Sequence, residues 1–301
     1  MLELRNPRIA IPVVLFAGLL WSFGPLVVRY MDNPQLVPWQ YIFGRGLTIF
    51  ILLNLYLFFE EGKNFYKNYY KIGLSGVIGG SGLGIAMITF IYSITNTSAA
   101  VTLLCLAAMP FFTALLAFLF LRERISLNVW ISMIIATVGI IIMAVGNTEK
   151  NSLIGFVFGL TSSIGFSIFS VTLRWRKETP KFTTVAVAGL FCFVIATIMI
   201  LANNQPFFAT SYNSAMFSLH GIIVCLGLIL YSIGSKAIQA AELTLLSLTE
   251  VIGGIFWVWL PLFGINEIPS TNTIVGGFFL FVSLIYYSLI MRWNKRYIAL
   301  N

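Results

Sequence analysis

Two residues of this chain carry charge where charge is costly. Arg45 stands inside the apolar run 36–59 and Glu250 inside the apolar run 240–263. A charged side chain at the bilayer centre costs at least about 2.5–3.5 kcal/mol on insertion scales, so it persists where it faces a cavity or a partner. At 1.5 Å per helical residue, Arg45 lies roughly 13 Å and Glu250 roughly 15 Å from the near end of its run. Both therefore reach the middle of a membrane. A guanidinium and a carboxylate at that depth either pair, as a polar lock on helix packing, or line a solute cavity. The carboxylate could in addition carry a proton or hold an amine.

Other side chains join them as candidates. Trp21, Tyr92, Tyr231, Trp257 and Trp259 sit deep in apolar runs. Rings converging near Glu250 would cage a quaternary ammonium or stack an aromatic amino acid; taken singly, each ring reads as packing. Asn54, Thr89, Ser93, Thr102 and Ser247 offer neutral hydrogen bonds to a zwitterion. His220 is the one histidine and makes no proton relay by itself; packing is its plain reading, direct solute contact or pH sensing the alternative. Glu242, Lys236 and Glu267 fall near run ends as interfacial or solvated groups. Glu123, between Arg122 and Arg124, reads as helix-end ion pairing.

Some chemistry is not expected. Cys105, Cys192 and Cys225 each lie inside an apolar run with no Cys-x-x-Cys, and read as small core residues rather than as a disulfide or metal site. Gly80-Ser81-Gly82-Leu83-Gly84 is not followed by Lys-Ser/Thr, so it is no phosphate loop. No cofactor and no nucleic acid is implied.

The elements that hold these residues follow from composition. Hydrophobic residues make up 59% of the 301, charged residues 9%, and the mean hydropathy is +0.94. A soluble chain is nearer 25% charged, so this one belongs in a lipid bilayer. Ten apolar runs are long enough to cross it as helices: 9–30, 36–59, 70–95, 98–121, 127–146, 152–175, 182–202, 215–237, 240–263 and 271–293. Arg5 and Arg8 precede the first, which is too long for a signal-peptide core. Fifteen of the 18 Lys and Arg fall in the loops of one side, Arg29 and Lys150 on the other, and Arg45 within a run. The positive-inside rule then puts both termini in the cytoplasm, as an even span count requires.

The chain also resembles itself. Thr97-Ser98-Ala99-Ala100-Val101-Thr102-Leu103-Leu104 recurs loosely as Gln239-Ala240-Ala241-Glu242-Leu243-Thr244-Leu245-Leu246. Each copy opens a run ending near an acid, Glu123 or Glu267, with one further run after it. The expected architecture is an all-α membrane protein of two five-helix repeats, 1–148 and 149–301. Five is odd, so the second repeat is inverted, with a solute site near the midplane between them. Gly76, Gly80 and Gly84, and Gly155, Gly159, Ser163 and Ser167, recur every fourth residue, which marks close helix contacts.

The stretch from Tyr92 to Glu123 resembles the EamA family of the drug/metabolite transporter superfamily. It has a small, hydroxylated opening at Thr97–Ala100, a mid-helix Pro110 and the ending Leu121-Arg122-Glu123-Arg124. Arg45 and Gly139 fit further family features, while the second half has Glu250-Val251 where the family often has Glu-Pro. The resemblance implies ten helices in two inverted repeats and transport of small organic solutes. It makes an amino acid or a related compound the first expectation, with export the commoner direction. The reading is thus a secondary carrier of a small polar metabolite in the inner (plasma) membrane, monomer or homodimer, and not an enzyme. Its proposed substrate-binding residues are Glu250, Arg45, Trp21, Tyr92, Tyr231, Trp257 and Ser247. The alternatives are a transporter of a choline-like quaternary amine and a non-carrier lipid scramblase.

Overall fold

A helix satisfies every backbone hydrogen bond within its own segment, which is what hydrocarbon demands. In the computed structural model, which describes residues 7–122, 127–146, 150–176, 178–238 and 240–300, all regular elements are helical. They run α1 Pro7–Trp21, α2 Gly24–Arg29, α3 Pro38–Glu61, α4 Lys67–Lys71, α5 Gly73–Asn96, α6 Ala99–Leu106, α7 Met109–Leu121 and α8 Leu127–Gly146. The order continues α9 Lys150–Trp175, α10 Lys181–Ala202, α11 Ser211–Gly234, α12 Ala240–Leu246, α13 Thr249–Trp259 and α14 Thr271–Leu300. Glu123 and the 148/149 boundary lie outside the described residues.

Among the described residues, eight segments are long and apolar enough to cross a membrane, counting α1 with α2, α6 with α7 and α12 with α13. Two shorter apolar stretches, Trp130–Val145 and Thr271–Tyr286, lie within α8 and α14. The chain is thus an all-helical, multi-pass membrane protein. Three of the runs read as single spans are broken, and the breaks build the site described below.

Packing joins early helices to late ones. The main pairs are α5 with α9, α3 with α10, α8 with α14, α1 with α11, α5 with α10 and α3 with α11, while α6–α7 meets α12–α13. The tightest seams follow small residues. A Cβ on Gly165 of α9 would sit 2.6 Å from the Gly82 carbonyl of α5, closer than any side chain tolerates. On α9, Gly159 lies against Cys105, and the Ser163 and Ser167 hydroxyls donate to the carbonyls of Cys105 and Met109. The four-residue stripe on α9 therefore seats the break between α6 and α7.

Candidate functional site

Each broken span has a local cause. Proline lacks an N–H, so Pro25 cannot bond the carbonyl of Trp21, and Pro110 cannot bond that of Leu106. Trp21 ends α1 and Leu106 ends α6. The third break uses no proline. Glu250 N–H turns to the Ser247 carbonyl at 2.9 Å, three residues back, and the Leu246 carbonyl accepts the Thr249 hydroxyl at 3.3 Å instead. Glu250, like the two prolines, stands four residues past the end of the preceding segment.

A cavity of about 70 Å³ opens where the breaks meet. Trp21, Leu106, Met109 and Glu250 reach it from the break points, and Arg45 from α3. The remaining wall is Leu83, Ala86, Met87 and Phe90 of α5, Ser162 and Phe166 of α9, and His220, Val224 and Leu228 of α11. The lining is thus mostly apolar, with a few convergent polar groups, as small-molecule sites are.

The polar groups are held differently. Arg45 is 3% exposed; one Nη donates to the Met87 carbonyl at 2.8 Å, and the guanidinium carbon lies 5.9 Å from the Phe90 ring centre. Close packing of α3 on α10, where Gly46 leaves room for the Gly189 carbonyl, fixes the helix from which Arg45 extends. Among the described residues, Glu250 makes no ion pair with Arg45 within 4 Å, whereas Arg29 and Glu267 do pair with each other. The two intramembrane charges share a cavity without a direct ion pair between them.

The other sequence candidates divide. Trp21 lines the cavity, with its indole N–H on the Val224 carbonyl at 3.2 Å. Tyr231 is fully buried behind it, ring centres 5.6 Å apart, with its hydroxyl 2.8 Å from the Ser170 hydroxyl. Trp257 stacks on Phe23 and donates to the Ser22 hydroxyl at 3.0 Å, which ties α13 to the α1–α2 break rather than lining the cavity. Tyr92 packs between Trp39 and Phe158, and the Ser247 hydroxyl is spent on the Thr244 carbonyl; neither lines the cavity. Asn54, Thr89, Ser93 and Thr102 likewise spend their side-chain bonds within the protein. Sequence reasoning missed Met87, Phe90, Ser162 and Phe166, which carry no signal beyond membrane depth, and set His220 aside for lack of a second histidine. Among the described residues no group of three or more potential metal ligands occurs.

A second polar cluster lies where α2 ends. Arg29 Nε contacts a Glu267 oxygen at 2.8 Å, and its two terminal nitrogens donate to the carbonyls of Ile94 (2.9 Å) and Thr97 (3.2 Å). The other Glu267 oxygen accepts Nη2 of Arg29 at 3.3 Å and the Ala99 N–H at 2.5 Å. This clasp ties α2, the α5–α6 junction and the segment after α13 together. Glu267 is therefore not the solvated group its place in the sequence suggests, because the fold brings Arg29 from 238 residues away.

Residues 8–145 match the EamA-like transporter family, so the resemblance read from Tyr92–Glu123 holds across α1–α8. An uncharacterized transporter of Helicobacter pylori strain J99 is 27% identical over 199 residues, 65% of this chain and 64% of that protein. The chain thus spans under two thirds of the length of this curated relative. The pseudopaline exporter CntI of Pseudomonas aeruginosa is 24% identical over 213 residues, 70% of this chain and 72% of that one. An uncharacterized transporter of Clostridium kluyveri is 26% identical over 228 residues, 72% and 71% respectively. A solved crystal structure that is 16% identical superposes with a TM-score of 0.62 over 95% of this chain and 99% of that one, which shows a shared fold.

Proposed function

We propose that this chain is a secondary carrier that moves a small zwitterionic metabolite, an amino acid or a related compound, across the inner membrane by alternating access. One observation carries the reading: an unpaired guanidinium, Arg45, and an unpaired carboxylate, Glu250, line one cavity at the meeting point of three broken helices. Discontinuous helices around a midplane site are a recurrent transporter device. A solute with a carboxylate and an ammonium supplies each buried charge with the partner it lacks. The other charged wall group is a fixed cation, which disfavours a quaternary amine in the same space.

The carrier reading includes ten spans in two inverted repeats, 1–148 and 149–301. Support comes from the packing pairs. If α1, α3, α5, α6–α7 and α8 correspond in order to α9, α10, α11, α12–α13 and α14, exchanging the halves turns the pair α5·α9 into α11·α1 and α5·α10 into α11·α3, and returns α3·α10, α8·α14 and the contact of α6–α7 with α12–α13 to themselves. The family match ending at residue 145 agrees with a repeat boundary just beyond it. With the termini in the cytoplasm, the Arg29–Glu267 clasp closes the periplasmic end. Transport then requires the clasp to open and an opposite closure to form. Export is the direction we favour, because the CntI relative is an exporter.

Proteoliposome counterflow with radiolabelled amino acids tests this reading. Saturable exchange of at least one of them, absent from liposomes containing Glu250→Gln, is expected. Exchange of choline with no amino-acid flux, or fluorescent-lipid exchange alone, would replace the proposal.

A further inference from the structure

The cavity contains one titratable side chain that the charge pair leaves unexplained. His220 of α11 is 2% exposed and lines the cavity beside Arg45. Its Nδ1 is hydrogen-bonded to the hydroxyl of Tyr41, a residue of α3 that is fully buried and stacked on Phe217 with ring centres 4.8 Å apart. The Nε2 side of the ring faces Gly24, at the start of α2, where a side chain would bring a carbon within 2.8 Å of it. Glycine at the α1–α2 break thus makes room for that edge of the ring, where any larger residue would collide with it. Among the described residues Nε2 has no hydrogen-bond partner, and it is not one of the fully enclosed polar atoms left without one.

The partner on Nδ1 decides the state of Nε2. Among the described residues, the Tyr41 hydroxyl has His220 as its one hydrogen-bond partner. If Nδ1 donated, the tyrosine proton would be left buried with no acceptor, an arrangement folded proteins avoid. The tyrosine therefore donates, Nδ1 accepts, and the single ring proton sits on Nε2. Held this way, His220 carries an N–H and no lone pair on its Nε2 edge.

Resting on the zwitterion reading of this cavity, we propose that His220 is a specificity-determining donor. Together with Arg45 it receives the carboxylate end of the solute, and Tyr41 positions it by fixing the tautomer. Two donors on α3 and α11 and one acceptor, Glu250, on α13 give the cavity a polarity. The solute lies with its carboxylate toward α3 and α11 and its ammonium toward α13. An amine lacking the carboxylate gains nothing from His220.

Because His220 is the one histidine in the chain, full-length protein labelled with 15N-histidine reports this ring alone. The expected spectrum shows a protonated Nε2 and an unprotonated Nδ1, and Tyr41→Phe turns it into a tautomer mixture. A protonated Nδ1 with a bare Nε2 in the wild type would overturn the proposal. Leucine and 3-methylbutylamine, which differ by the carboxylate, are the binding probes. Leucine should shift the Nε2 signal and the amine should not. His220→Ala should weaken leucine binding about tenfold or more, the equivalent of one charge-assisted hydrogen bond, and leave the amine unchanged. His220→Gln, which keeps an N–H at similar reach, should recover part of the loss and guards against a folding defect. Equal weakening of both probes overturns the donor role. Failure of leucine and every other standard amino acid to bind the wild type sinks the zwitterion reading instead, whatever the tautomer.

Discussion

Glu267→Gln tests whether the clasp at the end of α2 holds one end of the protein shut. The substitution keeps the side-chain shape and removes the charge that the Arg29 fork and the Ala99 N–H both address. Exposed ion pairs contribute about 1 kcal/mol or less, while breaking a buried one costs about 3–5 kcal/mol. At 23% and 21% side-chain exposure this pair falls between, so about 2 kcal/mol is a reasonable cost. If the clasp exists only in the closed state, the open-to-closed ratio rises about thirtyfold. Spin labels at Leu36→Cys and Ile268→Cys, positions 69% and 71% exposed, report the separation by pulsed electron resonance; the three native cysteines are buried and stay unlabelled. The expected result is a longer-distance population that grows in Glu267→Gln. An unchanged distance distribution would refute the argument. The charge swap Arg29→Glu with Glu267→Arg should not restore closure, because it sets a carboxylate against the carbonyls of Ile94 and Thr97.

Three further predictions follow from the site and its scaffold. Glu250→Gln should abolish or uncouple flux while folded yield stays near wild type, because Glu250 has no ion-pair partner to lose; normal flux with normal pH dependence would leave the carboxylate a structural role at most. Arg45→Ala should remove flux with a small change in yield, since its hydrogen bond within the protein goes to one carbonyl; a collapse in yield measured by size-exclusion chromatography would favour a packing lock. Gly165→Ala should lower the melting midpoint even though alanine favours helix by about 1 kcal/mol. Its Cβ would meet the backbone of α5, and overpacking costs about 1–3 kcal/mol.

What the amino-acid sequence determined by itself is whatever depends on sums and spacing along the chain. Apolar runs of about 20 residues imply membrane helices, because hydrocarbon excludes any backbone group left unbonded. The isolation of Arg45 and Glu250 within such runs marked both as cavity candidates, because a lone charge in lipid has nowhere else to go. Periodic small residues on α5 and α9 announced close seams. The breaks were harder to read. Pro25 and Pro110 are visible, but proline kinks some helices and parts others, and the third break, at Ser247 and Leu248, has no proline to mark it. Only the tertiary structure decided which aromatic residues share space with the charges. Tyr231 ended one layer behind Trp21, and Tyr92 ended against Trp39, because helix rotation is set by packing against distant partners. The same holds for Arg29 and Glu267, and for Tyr41 and His220. Hydrogen bonds between residues far apart in the chain leave no trace in local pattern, since their energy depends on distances that exist once the helices have packed.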